Sequence, residues 1–533
     1  MEKICLPSKP KFQKHQVFVK NAFTSKTKRK SMLLYHGIGS GKTLTSIYAA
    51  KQMLENNLVD RVFIVTPAAL VQNFRDEFAN RLLNYKSIPK EYIITSYMKF
   101  IKMTIPEKSL VIIDEVQNIV SEKGSLYKQF YKKLVVRKPQ NLRLIILSAT
   151  PIVDKPIEIA LTMNLLDIRH KFNVELFYNH YINDETDSLQ NTTDFKSRIK
   201  GYVSFFPGAT KTAYAARRDR VVMCKMSKHQ QQGYNKSVLG IATDFNYSQK
   251  FLIGPRMASN IVYPNGGFTM TSRPSDKELR TLFKNDLATF STKFFSCVQT
   301  LLKSKRSAFV YTNFVKSAGV DDFVEALNSH PQLKNTFGVF RSGEDENNKK
   351  VLNAFNSGTI RIIIGSPAMK EGITLLNCRE VHILDPYWNT NRTEQIIGRA
   401  IRFCSHVSLP PKQRVVDVYH YVATTDDVKT VDKHIMHLAH VKDRTVSKFA
   451  ELIKEASTDC KLWHKRNCLT SFKLSNNMNI GHIKKKKGAG LATKKKKGII
   501  VFKAVPKVTY AKKSPIPSSV KLNGLNKKPP IKP

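Results

Sequence analysis

Two sets of short β-rich apolar runs, alternating with helical patterns, predict an α/β fold of two lobes, each a parallel sheet wrapped by helices. The first set is Met32 to Tyr35, Arg61 to Val65, Tyr92 to Ile94, Leu110 to Ile113 and Leu142 to Leu147. The second is Ala308 to Tyr311, Thr336 to Phe340, Ile360 to Ile364, Glu380 to Leu384 and Val415 to Tyr421. A length of 533 residues agrees, being too long for one ordinary core and enough for two large domains with appendages. Near the carboxyl end the character changes: residues 481–533 hold 16 lysines, no arginine and no Asp or Glu. Such a tail has too few apolar groups to offset its ordering entropy, so it is expected to be disordered on its own.

The elements divide the chain into 1–205, a first lobe with a helical connector, and 206–430, a second lobe with a helical insertion. A helical segment at 431–480 and the lysine-rich tail at 481–533 follow. Between roughly 151 and 300 the sequence reads as helices and polar loops.

Charge narrows the partners. With 88 Lys and Arg against 41 Asp and Glu, the net charge of +47 points to a polyanion, since each phosphate neutralised releases a condensed counterion. No run of about 18 apolar residues is present to cross a bilayer, which argues against a membrane partner. The first ten residues lack the apolar core of a signal peptide. The seven cysteines are odd in number, widely spaced and without a C-x-x-C pair, and are read as free thiols in a reducing compartment.

The clearest chemistry lies at His36-Gly37-Ile38-Gly39-Ser40-Gly41-Lys42-Thr43, between an apolar run and a helical pattern. Glycines let a backbone wrap phosphates with its amides at a helix N-terminus. Lys42 would neutralise the β and γ phosphates of ATP, and Thr43 would ligate Mg2+. His36 stands where the strict pattern has glycine. A second buried run ends in Asp114-Glu115, where Asp114 would hold the magnesium ion and Glu115 would activate the attacking water. Ser148-Ala149-Thr150 ends the next run, where hydroxyls could connect those carboxylates to the facing lobe.

In the second set, Gln395, Arg399 and Arg402 are spaced four and three apart, on one face of a predicted helix. Two arginines so placed can reach across a cleft to the γ phosphate. Upstream, the segment from Gly365 to Leu375, with Ser366 and Gly372, could contact a phosphodiester backbone.

Taken in order, HGIGSGKT, TPAAL (66–70), DEVQ, LSATPI (147–152), KEGITL (370–375), DPYWN (385–389) and QIIGRAIR resemble a superfamily 2 ATPase of the chromatin-remodeller-like branch. Within it, His36, the extended LSATPIVDKP and GRAIRFCSHVSLPP (398–411) are similar to poxvirus-type nucleoside triphosphatase I and the small subunit of the viral early transcription factor. The resemblance runs through most of the first 425 positions and does not extend to the lysine tail. It implies two RecA-like lobes and a DNA-dependent ATPase acting with a viral RNA polymerase and other transcription factors, located in the virion and the host cytoplasm. It also implies that Gln16 reads adenine, that Thr66 and Pro67 lie against nucleic acid, and that Gln117, where many relatives have histidine, couples hydrolysis to the polymer. RNA remains open as the track. Two alternatives remain as well: a helicase that separates strands, and an ATP-switched transcription factor or scaffold.

Overall fold

The computed structural model describes residues 12–24, 30–37, 39–77, 88–183, 185–186, 188–208, 211–243, 252–369, 373–426 and 429–460, together with Cys5. The predicted fold class holds. Lobe one is a six-stranded parallel sheet of β1 (Ser31–His36), β2 (Arg61–Thr66), β3 (Tyr92–Ser96), β4 (Ser109–Ile113), β5 (Arg143–Ser148) and β6 (Val203–Phe206), ordered β3-β2-β4-β5-β1-β6. Lobe two is built from β7 (Ala216–Lys225), β8 (Ala308–Tyr311), β9 (Phe337–Val339), β10 (Ile362–Gly365), β11 (Glu380–Ile383) and β12 (Val415–Thr424). Its order is β9-β10-β8-β11-β12-β7, again all parallel.

Strands covered on both faces need apolar side chains pointing both ways, which is why they read as continuous runs. In β1, Leu33 joins the core containing Val111 and Leu144. Its neighbours Met32 and Leu34 turn to the opposite face, against Val19 and Phe23 of α1 (Lys14–Thr24) and Ile47 and Ala50 of α2 (Lys42–Glu55). In lobe two, Val310 and Ile364 face one core and Phe309 and Ile363 the other.

Each of the ten predicted runs forms a strand. Four strands lie where helices and loops were expected: a two-residue antiparallel pair, Ile182–Asn183 with Ser188–Leu189, and β6 and β7, each of which adds an edge to one six-stranded sheet. The sequence of β7, ARRDRVVMCK, hides its nature because its charges are paired across elements. Arg217 bonds Asp219 and Glu394, Arg220 pairs with Asp417, and His420 meets Asp219. Charged edges of this kind discourage sheet-to-sheet association.

The insertion of lobe two includes α3 (Ile253–Asn260) and α4 (Thr292–Ser304). After α5 (Thr390–Ala400) and β12 comes α6 (Val431–Glu455), whose 25 residues measure about 37 Å at 1.5 Å per residue. Thr430 caps it by accepting from Lys433 N. Asp432 is buried against Lys293 of α4 at 2.5 Å and accepts from Ala423 N at 2.9 Å, fixing this end to lobe two. The far half belongs to lobe one. Val446, Phe449 and Ile453 enter its core, with the Phe449 ring 5.6 Å from Phe177 and 5.3 Å from Phe195. Beyond the helix, Thr458 N and Oγ1 both donate to Val203 O on β6, each at 2.8 Å.

Two expectations are corrected or left aside. The cysteines are not all free: Cys5 is bonded to Cys404, 399 residues away, and Cys460 is also in a disulfide, whereas Cys224, Cys297 and Cys378 are free and buried. Folding brings the Cα atoms of Cys5 and Cys404 to 5.6 Å, a proximity no local spacing announces. Cys468 and the lysine tail at 481–533 lie outside the described residues. Among the described residues, no helix is long and apolar enough to cross a membrane.

Phe449 is wholly buried where α6 meets lobe one. Phe449→Ala is expected to cost about 3–5 kcal/mol through lost transfer energy and the cavity left behind. Urea unfolding followed by tryptophan-independent far-UV circular dichroism would measure it.

Candidate active site

The phosphate loop follows β1 directly and ends on the first turn of α2. Gly39 and Gly41 adopt φ of 72° and 75°, the left-handed region that side chains resist. Space is equally restrictive. A Cβ on Gly37 would lie 2.7 Å from Pro207 O, one on Gly39 2.8 Å from Phe403 Cβ, and one on Gly41 2.9 Å from Gln16 Nε2. Lys42 Nζ donates to His36 O at 3.0 Å and Gly37 O at 3.4 Å, carbonyls from which phosphate oxygens could draw it. Among the described residues the Ser40 hydroxyl is buried without a partner, and Thr43 sits half-buried on the first turn of α2. Left-handed glycines, an orphaned hydroxyl and an ammonium on carbonyls make a donor set that fits a polyphosphate. Ile38 lies outside the described residues. Gln16, on α1 and almost fully buried, accepts from Gln13 N at 2.8 Å, with its amide nitrogen beside Gly41.

Because β5 lies between β1 and β4, Lys42, Ser148 and the Asp114–Glu115 pair line one carboxyl edge. Tyr97 Oη donates to Asp114 O at 2.5 Å and Glu115 O at 3.0 Å, holding the turn. Glu115 itself is left-handed, at φ 50°, a conformation costing about 1 kcal/mol or more outside glycine. Its carboxylate is the start of a chain. Gln117 Nε2 donates to Glu115 Oε2 at 2.6 Å, Ser148 Oγ donates to Gln117 Oε1 at 2.7 Å, and Thr150 N donates to Ser148 Oγ at 3.0 Å. Ala149 links the last two. Asp114 and Thr43 are the groups able to hold a divalent cation beside bound phosphates.

From lobe two, α5 begins with Asn389, whose side chain accepts from Arg392 N at 3.0 Å. Asn391 Nδ2 then donates to Ile152 O and Val153 O, both at 3.0 Å, so the helix start rests on the loop that follows Thr150. Gln395 and Arg399 are on this helix, as expected. Arg402 is not. The helix ends at Ala400, Arg402 N is taken by Ser405 Oγ, and the Arg402 guanidinium donates to Ile373 O at 3.1 Å and Thr374 Oγ1 at 2.8 Å.

Of the residues expected against a polymer, Thr66 ends β2 with its side chain fully buried, and Ser366 is 2% exposed with its hydroxyl accepting from Ala368 N. Strand ends bury their last residues under the following turns. Pro67 is half-buried, and Gly372 lies outside the described residues.

Three residues around the loop carried no readable signal. His15 Nε2 lies 3.0 Å from Ser40 O and its ring stacks on Phe206 at 3.7 Å. His36 Nε2 lies 2.8 Å from Ser204 Oγ, which donates to Asp459 Oδ2 at 2.6 Å, while Phe205 N donates to Asp459 Oδ1 at 2.8 Å. Burial pushes the His15 imidazole down to about 4, and His36 falls well below its usual range through burial and the nearby His15 and Lys42 charges. Burial raises the Asp459 carboxyl, against the hydrogen bonds it accepts. Ser204 and Asp459 stand 168 and 255 residues from their partners, in stretches with no motif.

A phosphate loop and an acidic pair on one sheet edge, faced by a basic helix from a second parallel sheet, define a two-lobed nucleoside triphosphatase. Four known families match along the chain. They are the type III restriction enzyme res subunit at 9–153, the SNF2-related domain at 89–263, the helicase conserved C-terminal domain at 293–404 and the nucleoside triphosphatase I C-terminal region at 406–514. Protein R563 of Acanthamoeba polyphaga mimivirus, named as an ATP-dependent RNA helicase, is 35% identical over 87% of this chain and 92% of its own length. Protein 087L of Invertebrate iridescent virus 3, named as a helicase, is 27% identical over 88% of this chain and 56% of its own. Among solved structures, the Pyrococcus furiosus Hef helicase domain matches 80% of this chain and 97% of its own length at 14% identity, with a TM-score of 0.47. The chain belongs to the superfamily 2 helicases, in the group that carries a nucleoside triphosphatase I C-terminal region and has relatives in large DNA viruses. It is an ATP hydrolase. The match at 406–514 runs into the lysine-rich stretch, so its part up to residue 514 does have a counterpart, contrary to the expectation from the motifs.

The folded chain refuses a proton on His15 that the unfolded chain accepts below about pH 6.5, so stability is full above that pH and falls as pH drops toward 4. The His15 contribution to the fall is about 3 kcal/mol. Chemical denaturation of the chain and of His15→Gln at pH 7 and pH 4.5 should show a smaller fall in the variant.

Proposed function

We propose that this chain is a DNA-driven motor that serves a viral RNA polymerase and its transcription factors in early transcription. The reading is carried by the hydrogen-bonded chain from Glu115 through Gln117 and Ser148 to Thr150, followed by the loop on which Asn391 rests. That chain links the water-activating carboxylate to the seat of the opposite lobe. A net charge of +47 and the nucleoside triphosphatase I match at 406–514 favour a nucleic-acid track and a transcriptional setting.

In this reading Gln16 reads the adenine edge, the loop from His36 to Gly41 cradles the phosphates, and Lys42 neutralises the β and γ groups. Thr43 and Asp114 hold Mg2+, which supplies charge neutralisation at the phosphates when bound. Glu115 accepts a proton from water as the water oxygen bonds to the γ phosphorus. The β–γ bridging oxygen then leaves with ADP. Closure brings Arg399 toward the γ phosphate and releases Arg402 from Ile373 O and Thr374 to join it, with Gln395 beside them. Thr66, Pro67, Ser366 and Gly372 are the residues that would meet the polymer backbone. Residues 481–533 add a phosphate-binding anchor.

RNA as the track is the second reading, favoured by the name given to R563. Steady-state ATP hydrolysis with single-stranded DNA, duplex DNA or RNA separates the two. Stimulation by DNA supports the proposal, stimulation by RNA alone moves the track to RNA, and binding without hydrolysis under any polymer favours a switch or scaffold. Glu115→Gln is expected to lower kcat by about 10²–10⁴. Gln117→Ala should lower kcat about tenfold while leaving KM for ATP near its original value, since it removes a hydrogen bond to a charged group but no phosphate contact. Deleting 481–533 should weaken DNA binding and flatten its salt dependence while sparing hydrolysis; filter binding across salt concentrations would check this.

A further inference from the structure

We propose that Asp459, acting through Ser204 and His36, positions the phosphate loop, so that ATP binding depends on the segment that follows the lobe-spanning helix α6. Asp459 uses both carboxylate oxygens on β6, one accepting from Phe205 N at 2.8 Å and one from Ser204 Oγ at 2.6 Å. With its proton committed to Asp459, the Ser204 hydroxyl can only accept from His36, which places the imidazole proton on Nε2. His36 is then held by its ring from one side while its backbone carbonyl accepts from Lys42 Nζ at 3.0 Å on the other. An unbroken path therefore runs from the C-terminal segment to the ammonium that meets the phosphates. Register supports it, because Leu34 pairs with Ser204 and His36 with Phe206 on adjacent parallel strands.

The path begins at a helix that both lobes hold. Asp432 anchors α6 in lobe two, Phe449 and Ile453 anchor it in lobe one, and Lys454 lies over the Phe205 ring at 5.6 Å. Only a short turn, with Ser457 and Thr458 bonded to Lys454 O and Val203 O, separates the helix from Asp459. A shift of α6 as the lobes move would thus be felt at His36. Ser204 and Asp459 are positioning residues, since neither touches the nucleotide. The proposal rests on ATP hydrolysis alone and is independent of which polymer the protein follows.

Asp459→Asn keeps the acceptor for Phe205 N but turns an NH₂ toward Ser204, whose hydroxyl must then donate to His36 and move the imidazole proton to Nδ1. Ser204→Ala deletes the link outright. In the full chain, each variant is expected to raise KM for ATP and Kd for ADP about five- to tenfold, the loss of roughly one hydrogen bond's net effect, with kcat and melting temperature little changed. The double variant should show no further rise, because both act on one path. Unchanged KM and Kd in both singles would overturn the proposal, as would a lowered melting temperature with nucleotide affinity intact, which would make Asp459 a clamp on β6 only. Additive effects in the double variant would also overturn it. If Asp459→Asn does not fold, Ser204→Ala, which removes a single hydroxyl, decides the question.

Discussion

A loop can bind phosphate strongly only if several backbone amides converge on one point, and a chain of L-residues converges that tightly only with glycines in left-handed conformations. Gly39 and Gly41 meet that demand, and the rest of the site is arranged to keep them there. His15 holds the loop through Ser40 O, Ser204 holds it through the His36 ring, and Phe403 with Tyr214 presses on Gly39 from outside. Both histidines are buried and neutral, so they brace the loop without adding positive charge that would compete with Lys42 for the phosphates.

The two sheets could pack as independent bodies, yet α6 ties them by two different kinds of interaction. At one end, the buried Lys293–Asp432 pair must be well bonded to offset the desolvation of both charges, and Asn260 and Ala423 N supply those bonds. At the other end the contact is aromatic and apolar, around Phe449. Polar contacts join it there too, Lys442 with Asp154 at 2.7 Å and Lys196 with Glu455 at 3.2 Å.

Much of this was legible in the sequence. Strands buried on both faces announced themselves as apolar runs, and the phosphate loop, acidic pair and arginine helix were readable because their spacing is imposed by chemistry. What stayed hidden depended on contacts between distant segments. The charged strand β7 looks polar because Arg217 and Arg220 find partners only in the folded chain. Arg402 kept helical spacing past the end of its helix, where Ser405 Oγ captures its amide. Ser204, Asp459 and the Cys5–Cys404 bond join residues separated by hundreds of positions, and Thr66 and Ser366 matched a motif whose surroundings bury them.

Gly39 is constrained from two directions at once: its φ excludes a side chain, and the space a methyl group would need is already taken by Phe403 and Tyr214. A methyl there would act as a spacer between the lobes as well as a distortion of the loop. Loop shape and cleft width are therefore one variable at this position, and a sequence drifting under selection has no means of adjusting either without the other.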